Sequence, residues 1–101
     1  MIKHIVMWKL KDFAEGANRE ENARRMKKAL EGLKDAIPQI SHIEVGFDFN
    51  RSETALDIAL YSEFASKEDL QIYQQHPAHV NVAQSLVQKV TQERKGVDYE
   101  I

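Results

Sequence analysis

The sequence predicts an α+β domain with the element order β-α-β-β-α-β. Runs that alternate apolar and polar side chains are typical of strands, and they flank two runs with the apolar spacing of amphipathic helices. Apolar residues at 43% and charged residues at 30% describe a globular chain, and 101 residues are a usual size for one domain. We therefore predict a single domain over residues 1–101.

The first strand is predicted over residues 2–11. His4, Val6 and Trp8 share one of its faces, and Ile5 and Met7 share the other. Apolar side chains on both faces predict a strand that is covered on both sides.

The first helix is predicted over residues 18–36, after a loop over residues 12–17. Asn18 followed by Glu21 has the spacing of a capping box. Pro38 ends the helix, because the residue before a proline avoids the helical conformation. The apolar residues of the helix recur at helical spacing and are Ala23, Met26, Leu30, Leu33 and Ile37.

The second and third strands are predicted over residues 40–49 and 54–64, and a polar turn over residues 50–53 joins them as a hairpin. Alternation places Asp57 on the face opposite the apolar side chains of its strand. The predicted apolar faces consist of Ile43, Val45, Phe47 and Phe49 on the second strand, and of Leu56, Ile58, Leu60 and Phe64 on the third.

The second helical region is predicted in two segments, followed by a last strand over residues 94–100. Ser66 and Asp69 predict the capped start of a short helix that Tyr73 anchors. Pro77 predicts the start of the second segment, because a proline at the first helical position loses no hydrogen bond, and His76 caps it. The stripe of the second segment that faces the core is predicted at His79, Ala83, Leu86 and Val90.

This order describes a ferredoxin-like arrangement, in which the helices cover one face of a four-stranded antiparallel sheet. The other face carries Ile5, Met7, Ala55, Ala59 and Tyr61, which is too apolar a set for open water. We therefore predict a homodimer in which two sheets pack face to face.

Charge and composition narrow the classes of function. The formal net charge of −2 gives no electrostatic reason to bind nucleic acid or an anionic membrane. The chain has no cysteine, which excludes disulfides and thiolate metal sites, and no signal-like or membrane-spanning apolar run, so a cytoplasmic protein is expected. His4, His76 and His79 lack an adjacent carboxylate, and Pro77 interrupts their spacing, so we predict no metal and no other cofactor.

Several short stretches together resemble the stress-responsive alpha/beta barrel domain family, known as Dabb. The resemblance covers essentially the whole chain, and its most specific part is the box His76-Pro77-Ala78-His79 with the upstream Tyr73. The other matching stretches are His4-Ile5-Val6, the region of Gly46 and Asp48, Phe64-Ala65-Ser66-Lys67-Glu68 and Val97-Asp98-Tyr99. The resemblance implies a dimeric alpha+beta barrel built from two ferredoxin-like subunits.

The resemblance also implies site residues. One plant member of the family is a cyclase that closes a linear polyketide without a metal or an organic cofactor. Its catalytic histidine matches His79, its strand-one histidine matches His4, and its helix tyrosine matches Tyr73. The chain departs from that cyclase at Val82 and Ala83, where the cyclase has a phenylalanine and a glycine, and along the first helix, where aromatic residues are absent. We therefore do not carry over the cyclase's substrate.

Some plant members of the family bind a magnesium ion through backbone carbonyls after the first helix. The matching positions lie near Lys34, Ile37 and Ile40. Since backbone ligands leave little trace in the side chains, this site is not part of the prediction.

His79 is the candidate general base. Its predicted place in the first turn of a helix, on the buried stripe, holds the ring neutral near pH 7. Tyr73 has the chemistry to donate a hydrogen bond to a developing oxyanion, and His4 to orient His79 or to bind a substrate carbonyl. The alternative interpretation makes all three structural, with His79 in the core, His4 at a strand end and Tyr73 in packing.

We expect a pocket between sheet and helices for a small apolar or carbonyl-containing molecule, with cofactor-free acid–base activity of cyclase or lyase type as the leading enzymatic interpretation. Two alternatives stay open at this point. One is a cofactor-free monooxygenase, and the other is a non-enzymatic stress-response or stability protein with structural histidines. The predicted lining around His4, Tyr73 and His79 consists of Val6, Trp8, Met26, Leu30, Ile58, Leu60, Val82 and Leu86.

Overall fold

The computed structural model describes all 101 residues and has the predicted ferredoxin-like α+β fold. The strands are β1 (Ile2–Leu10), β2 (Phe13–Ala14), β3 (Ala17–Asn18), β4 (His42–Phe47), β5 (Ile58–Phe64) and β6 (Thr91–Glu100). The helical segments are α1 (Arg19–Glu31), α2 (Leu33–Ala36), α3 (Lys67–Gln75), α4 (Pro77–Val82), a π-helical turn (Ala83–Val87) and α5 (Gln88–Val90). The main sheet has the order β4-β5-β1-β6 with antiparallel neighbours, while β2 and β3 form a separate hairpin.

The core lies between the helices and one face of the sheet. Every second residue of β1 and of β5 is buried on this face, as the alternation predicts. Met26 and Leu30 of α1, together with Leu70 and Tyr73 of α3, close the core from the helical side.

The helix starts follow the predicted capping. The Asn18 side chain accepts from the Glu21 N–H at 2.9 Å, and the Ser66 hydroxyl accepts from the Asp69 N–H at 3.1 Å. Pro77 is the first residue of α4, and the ring Nδ1 of His76 accepts from the Ala78 N–H at 3.0 Å. These caps place His79 in the first turn of α4.

The region around the first helix differs from the prediction in two places. The helix is divided at Gly32, although Gly32 keeps helical dihedral angles and its N–H donates to the Lys28 carbonyl at 3.1 Å. The predicted loop contains the β2–β3 hairpin, whose turn residues Glu15 and Gly16 both have positive φ, as a type I′ turn requires. Asn22 holds this hairpin, because its buried amide donates to the carbonyls of Ala14 and Ala17.

The hairpin of the second and third predicted strands has a longer connection than expected. β4 ends at Phe47 and β5 begins at Ile58, so Phe49 is 94% exposed instead of facing the core. Asp57, predicted on the open face, is only 8% exposed. Its carboxylate accepts from the Leu10 N–H at 2.7 Å and from Arg51 at 2.9 Å, which ties the connection to the end of β1.

The second face of the sheet is uncovered in the single chain. Met7, Val97 and Tyr99 are exposed on it, and Ile5 lies half-buried between Tyr61 and Val97 on the neighbouring strands. Ala55 precedes β5 in the connection and lies near this face, because it lines one cavity together with Met7 and Ala59. The face also carries charged residues, among them the ion pair of Lys3 and Glu63. Exposed apolar residues grouped beside charged ones are typical of an interface.

Candidate functional site

A cavity of about 430 Å³ lies between the helices and the β1–β6 side of the sheet. It brings together the three predicted polar residues His4, Tyr73 and His79. Four predicted apolar residues also line it, namely Val6, Trp8, Leu30 and Leu60. The remaining lining residues are Ala83, Val87, Gln88, Thr91, Gln92, Glu93 and Arg94.

His79 is half-buried beside the cavity, and its hydrogen bond defines its tautomer. Its Nδ1–H donates to the Gln74 carbonyl at 3.1 Å, which leaves Nε2 as an acceptor without a protein partner. Burial lowers the pKa of His79, and the charges of His4 and Arg94 act in the same direction, while the bond to Gln74 opposes them. The ring is therefore neutral near pH 7 and can take up a proton at Nε2.

Tyr73 is 1% exposed, and its ring lies 4.5 Å from that of His79 and 5.0 Å from that of Phe64, centroid to centroid. Its hydroxyl has no protein hydrogen-bond partner. Every polar side-chain atom that is fully buried has a hydrogen-bond partner, so the unpartnered hydroxyl of Tyr73 is not fully buried. Because Tyr73 lines the cavity, its hydroxyl opens onto it. Burial raises the pKa of Tyr73, so the phenol keeps its proton and is available as a donor.

His4 is held by a carboxylate that the sequence prediction did not include. Its Nδ1–H donates to the Asp98 carboxylate at 2.5 Å, across the directly paired positions of β1 and β6. The His4 ring lies 6.0 Å from that of Tyr73, so His4, Tyr73 and His79 form one continuous row of rings. A carboxylate on Nδ1 fixes the ring and leaves Nε2 directed away from the strand pair.

The cavity side of β6 was missed as a whole, although its pattern was visible. Arg94, Gly96 and Asp98 pair with Trp8, Val6 and His4, so they occupy the face of the sheet that the helices cover. A strand whose core-facing positions are charged or glycine cannot extend an apolar core. The absence of apolar residues at alternate positions of the last strand was therefore the signal for a polar cavity wall.

Four predicted lining residues do not line the cavity. Met26 and Ile58 are fully buried in the filled part of the core. Val82 and Leu86 pack against the core from its margin. His79, Ala83 and Val87 line the cavity at spacings of four residues, so Val87 takes the place that the prediction gave to Leu86.

The loop after α2 does not fit a magnesium ion. The Lys34 ammonium donates to the carbonyls of Ile40 at 3.1 Å and Ser41 at 3.2 Å. The Ile37 carbonyl accepts from the Ile40 N–H at 3.2 Å. The carbonyls of Ile37 and Ile40 thus already have donors, and the donor to Ile40 carries a positive charge that would repel a cation.

Comparisons with known proteins bear on this fold and site. The sequence matches the family described as Stress responsive A/B Barrel Domain over residues 2–101. It is 34% identical over 101 residues to a stress-response A/B barrel domain-containing protein of Arabidopsis thaliana, covering 98% of this chain but only 36% of that protein's length. None of the helices is long and apolar enough to cross a membrane.

Solved structures give the same fold. A dimeric protein of unknown function with a ferredoxin-like fold from Bacteroides fragilis is 38% identical, with a TM-score of 0.81 over 99% of this chain and 95% of that one. A hydroxynitrile lyase from Passiflora edulis is 16% identical with a TM-score of 0.82, over 99% and 92% of the two chains, and shows the fold alone. The dimeric relative supports self-association here. The chain thus belongs to the stress-responsive A/B barrel domain (Dabb) family.

Proposed function

We propose that this protein is a homodimer that binds a small, largely apolar carbonyl compound in the cavity and catalyses proton transfer on it without a cofactor. His79 is the base, Tyr73 the oxyanion donor and His4 the orienting group. One observation carries the proposal. The unpartnered Nε2 of His79 and the unpartnered hydroxyl of Tyr73 belong to adjoining rings in one cavity.

The step follows from these two groups. Nε2 of His79 takes a proton from the carbon next to the substrate carbonyl, and the electron pair of the broken C–H bond moves to the carbonyl oxygen. The Tyr73 hydroxyl donates a hydrogen bond to the resulting enolate oxygen. The Gln74 carbonyl accepts from Nδ1–H and stabilises the imidazolium. The enolate then adds to a second carbonyl or loses a leaving group, and His79 returns the proton.

The dimer is proposed to form through the uncovered face of the sheet. Besides the apolar residues already described, this face carries a second cavity of about 520 Å³ lined in part by Met7, Phe47, Phe49 and Ala59. Covering it with the sheet of a second copy would remove these side chains from water. The dimeric Bacteroides fragilis relative supports this assembly.

The proposal is tested by exchange of carbon-bound hydrogen for deuterium in a panel of 1,3-dicarbonyl compounds, followed by NMR in D₂O. We expect exchange above the buffer rate, and His79→Gln should lower it by about 100-fold or more. His42→Gln is the matched control, because His42 is an exposed histidine on β4 that contacts Glu44. Equal rates for His79→Gln and the unchanged protein would refute the assignment, and oxygen uptake would favour the monooxygenase alternative.

A further inference from the structure

Arg94 differs from every other arginine of the chain, because its guanidinium has no partner in the protein. Arg19 pairs with Asp12, and both Arg24 and Arg25 pair with Glu21. Arg51 pairs with two carboxylates, those of Asp48 and Asp57. Arg94 makes no ion pair and no hydrogen bond, yet it lines the cavity.

The guanidinium of Arg94 lies beside Gly96. A Cβ built on Gly96 would lie 3.5 Å from Nη1 of Arg94 and 3.9 Å from its Cζ. The side chain of Arg94 therefore runs along β6 over Gly96, on the face that is paired with Val6. Its charge acts on both Tyr73 and His79, which places it within electrostatic reach of the proposed reacting groups.

The rest of the cavity wall does not neutralise this charge. The Asp98 carboxylate is engaged by His4, and Glu93 lies at 3.7 Å from Lys95. The same cavity has apolar lining residues as well, with Val6, Leu30 and Leu60 among them. Arg94 is exposed at the edge of a cavity that is half apolar and half polar in its lining, and a guanidinium without a protein partner at such a place is a binding group for an anion.

We infer that Arg94 binds the carboxylate of the substrate, so that the cavity takes a small carboxylic acid whose apolar chain packs against Val6 and Leu60 and whose carbonyl reaches His79 and Tyr73. This inference rests on the proposed function, since it names the substrate class of the same cavity. One guanidinium without a second cation suits a singly charged carboxylate better than a phosphate, which carries close to two charges.

The test compares two probes of nearly equal shape, hexanoate and hexanamide. Trp8 is the only tryptophan and lines the cavity, so its fluorescence reports binding of either probe. We expect hexanoate to bind at least about ten-fold more tightly than hexanamide, because a hydrogen bond to a charged group is the stronger one. Arg94→Gln should abolish that preference, while Arg24→Gln, an exposed arginine on α1, should keep it.

Three results would overturn the inference: equal affinities for the two probes, no binding of either one, or an unchanged preference in Arg94→Gln. Circular dichroism of the variant checks that it is folded. Binding is measured apart from proton transfer, so the two proposals can fail separately. A preference that depends on Arg94 without any deuterium exchange would refute the enzymatic proposal alone. Exchange without the preference would refute the carboxylate site alone.

Discussion

Replacing Tyr73 by Phe separates a functional hydroxyl from a structural one. The ring is fully buried and contacts Phe64 and His79, so Phe retains nearly all of its packing. Only the hydroxyl is lost, and it has no partner in the protein. Because the hydroxyl opens onto the cavity, water can solvate it in the folded state as it does in the unfolded state. The hydrogen bonds therefore nearly cancel.

The expected magnitudes differ widely between two substitutions at this position. Tyr73→Phe should change the free energy of unfolding by less than about 0.5 kcal/mol, whereas a buried hydroxyl bonded within the protein would lose about 1–1.5 kcal/mol. Tyr73→Ala should cost about 3–5 kcal/mol, because it opens a cavity in the core. If Tyr73 donates to an enolate oxygen, Tyr73→Phe should also lower the exchange rate by about 100-fold or more.

Urea unfolding followed by fluorescence and circular dichroism gives the stability, and deuterium exchange gives the rate. The combination of near-native stability with a lost rate is the signature of a functional hydroxyl. A stability loss above about 1 kcal/mol in Tyr73→Phe, with an unchanged rate, would show that the hydroxyl is structural and would refute its assigned role.

Four further predictions test the pH dependence, the dimer, the loop and the metal. Burial holds the pKa of His79 in the folded state below that of the unfolded ring. The unfolded chain therefore binds more protons than the folded chain once the pH is below about 6.5, so stability should decrease as the pH is lowered further. His79→Gln should flatten that slope in urea melts, and an identical slope would contradict the cause. Ala59→Asp should place an unpaired charge in the sheet interface and shift sedimentation towards the 11.7 kDa monomer. If the unchanged protein already sediments as a monomer at micromolar concentration, the predicted dimer is wrong. Lys34→Met should cost about 1 kcal/mol, because two carbonyls lose their donor. EDTA should leave the melting temperature of the unchanged protein unaltered. A large decrease would indicate that the folded protein binds a metal ion.

The sequence predicts those parts of the fold that depend on interactions between residues close together in the chain. Asn18, Ser66 and Pro77 mark helix starts through bonds that span three residues or fewer, so the sequence alone indicates them. Strand alternation likewise identified the buried face of β1 and β5. The β2–β3 hairpin was not predicted, because Glu15-Gly16 is a less typical turn pair than Asn-Gly or Asp-Gly.

The features that were missed depend on contacts between distant parts of the chain. Asp57 is buried because the Leu10 N–H, 47 residues away, needs an acceptor, and no local pattern contains that information. The row of His4, Tyr73 and His79 was predicted as a group, whereas Asp98 and Arg94 required the register of β6 on β1.

The position of the cavity follows from the composition of one strand. On β1, β4 and β5 the positions that face the helices are mostly apolar, and the helices pack directly on them. On β6 the same face presents Arg94, Gly96 and Asp98, which cannot be buried among apolar side chains without large desolvation costs. The core must therefore stop one strand short of the sheet edge, and a space is left between β6 and the α4 segment. The polar residues that stop the core are also the groups that give this space its chemistry, so the absence of packing there and the capacity to bind a polar ligand have one origin.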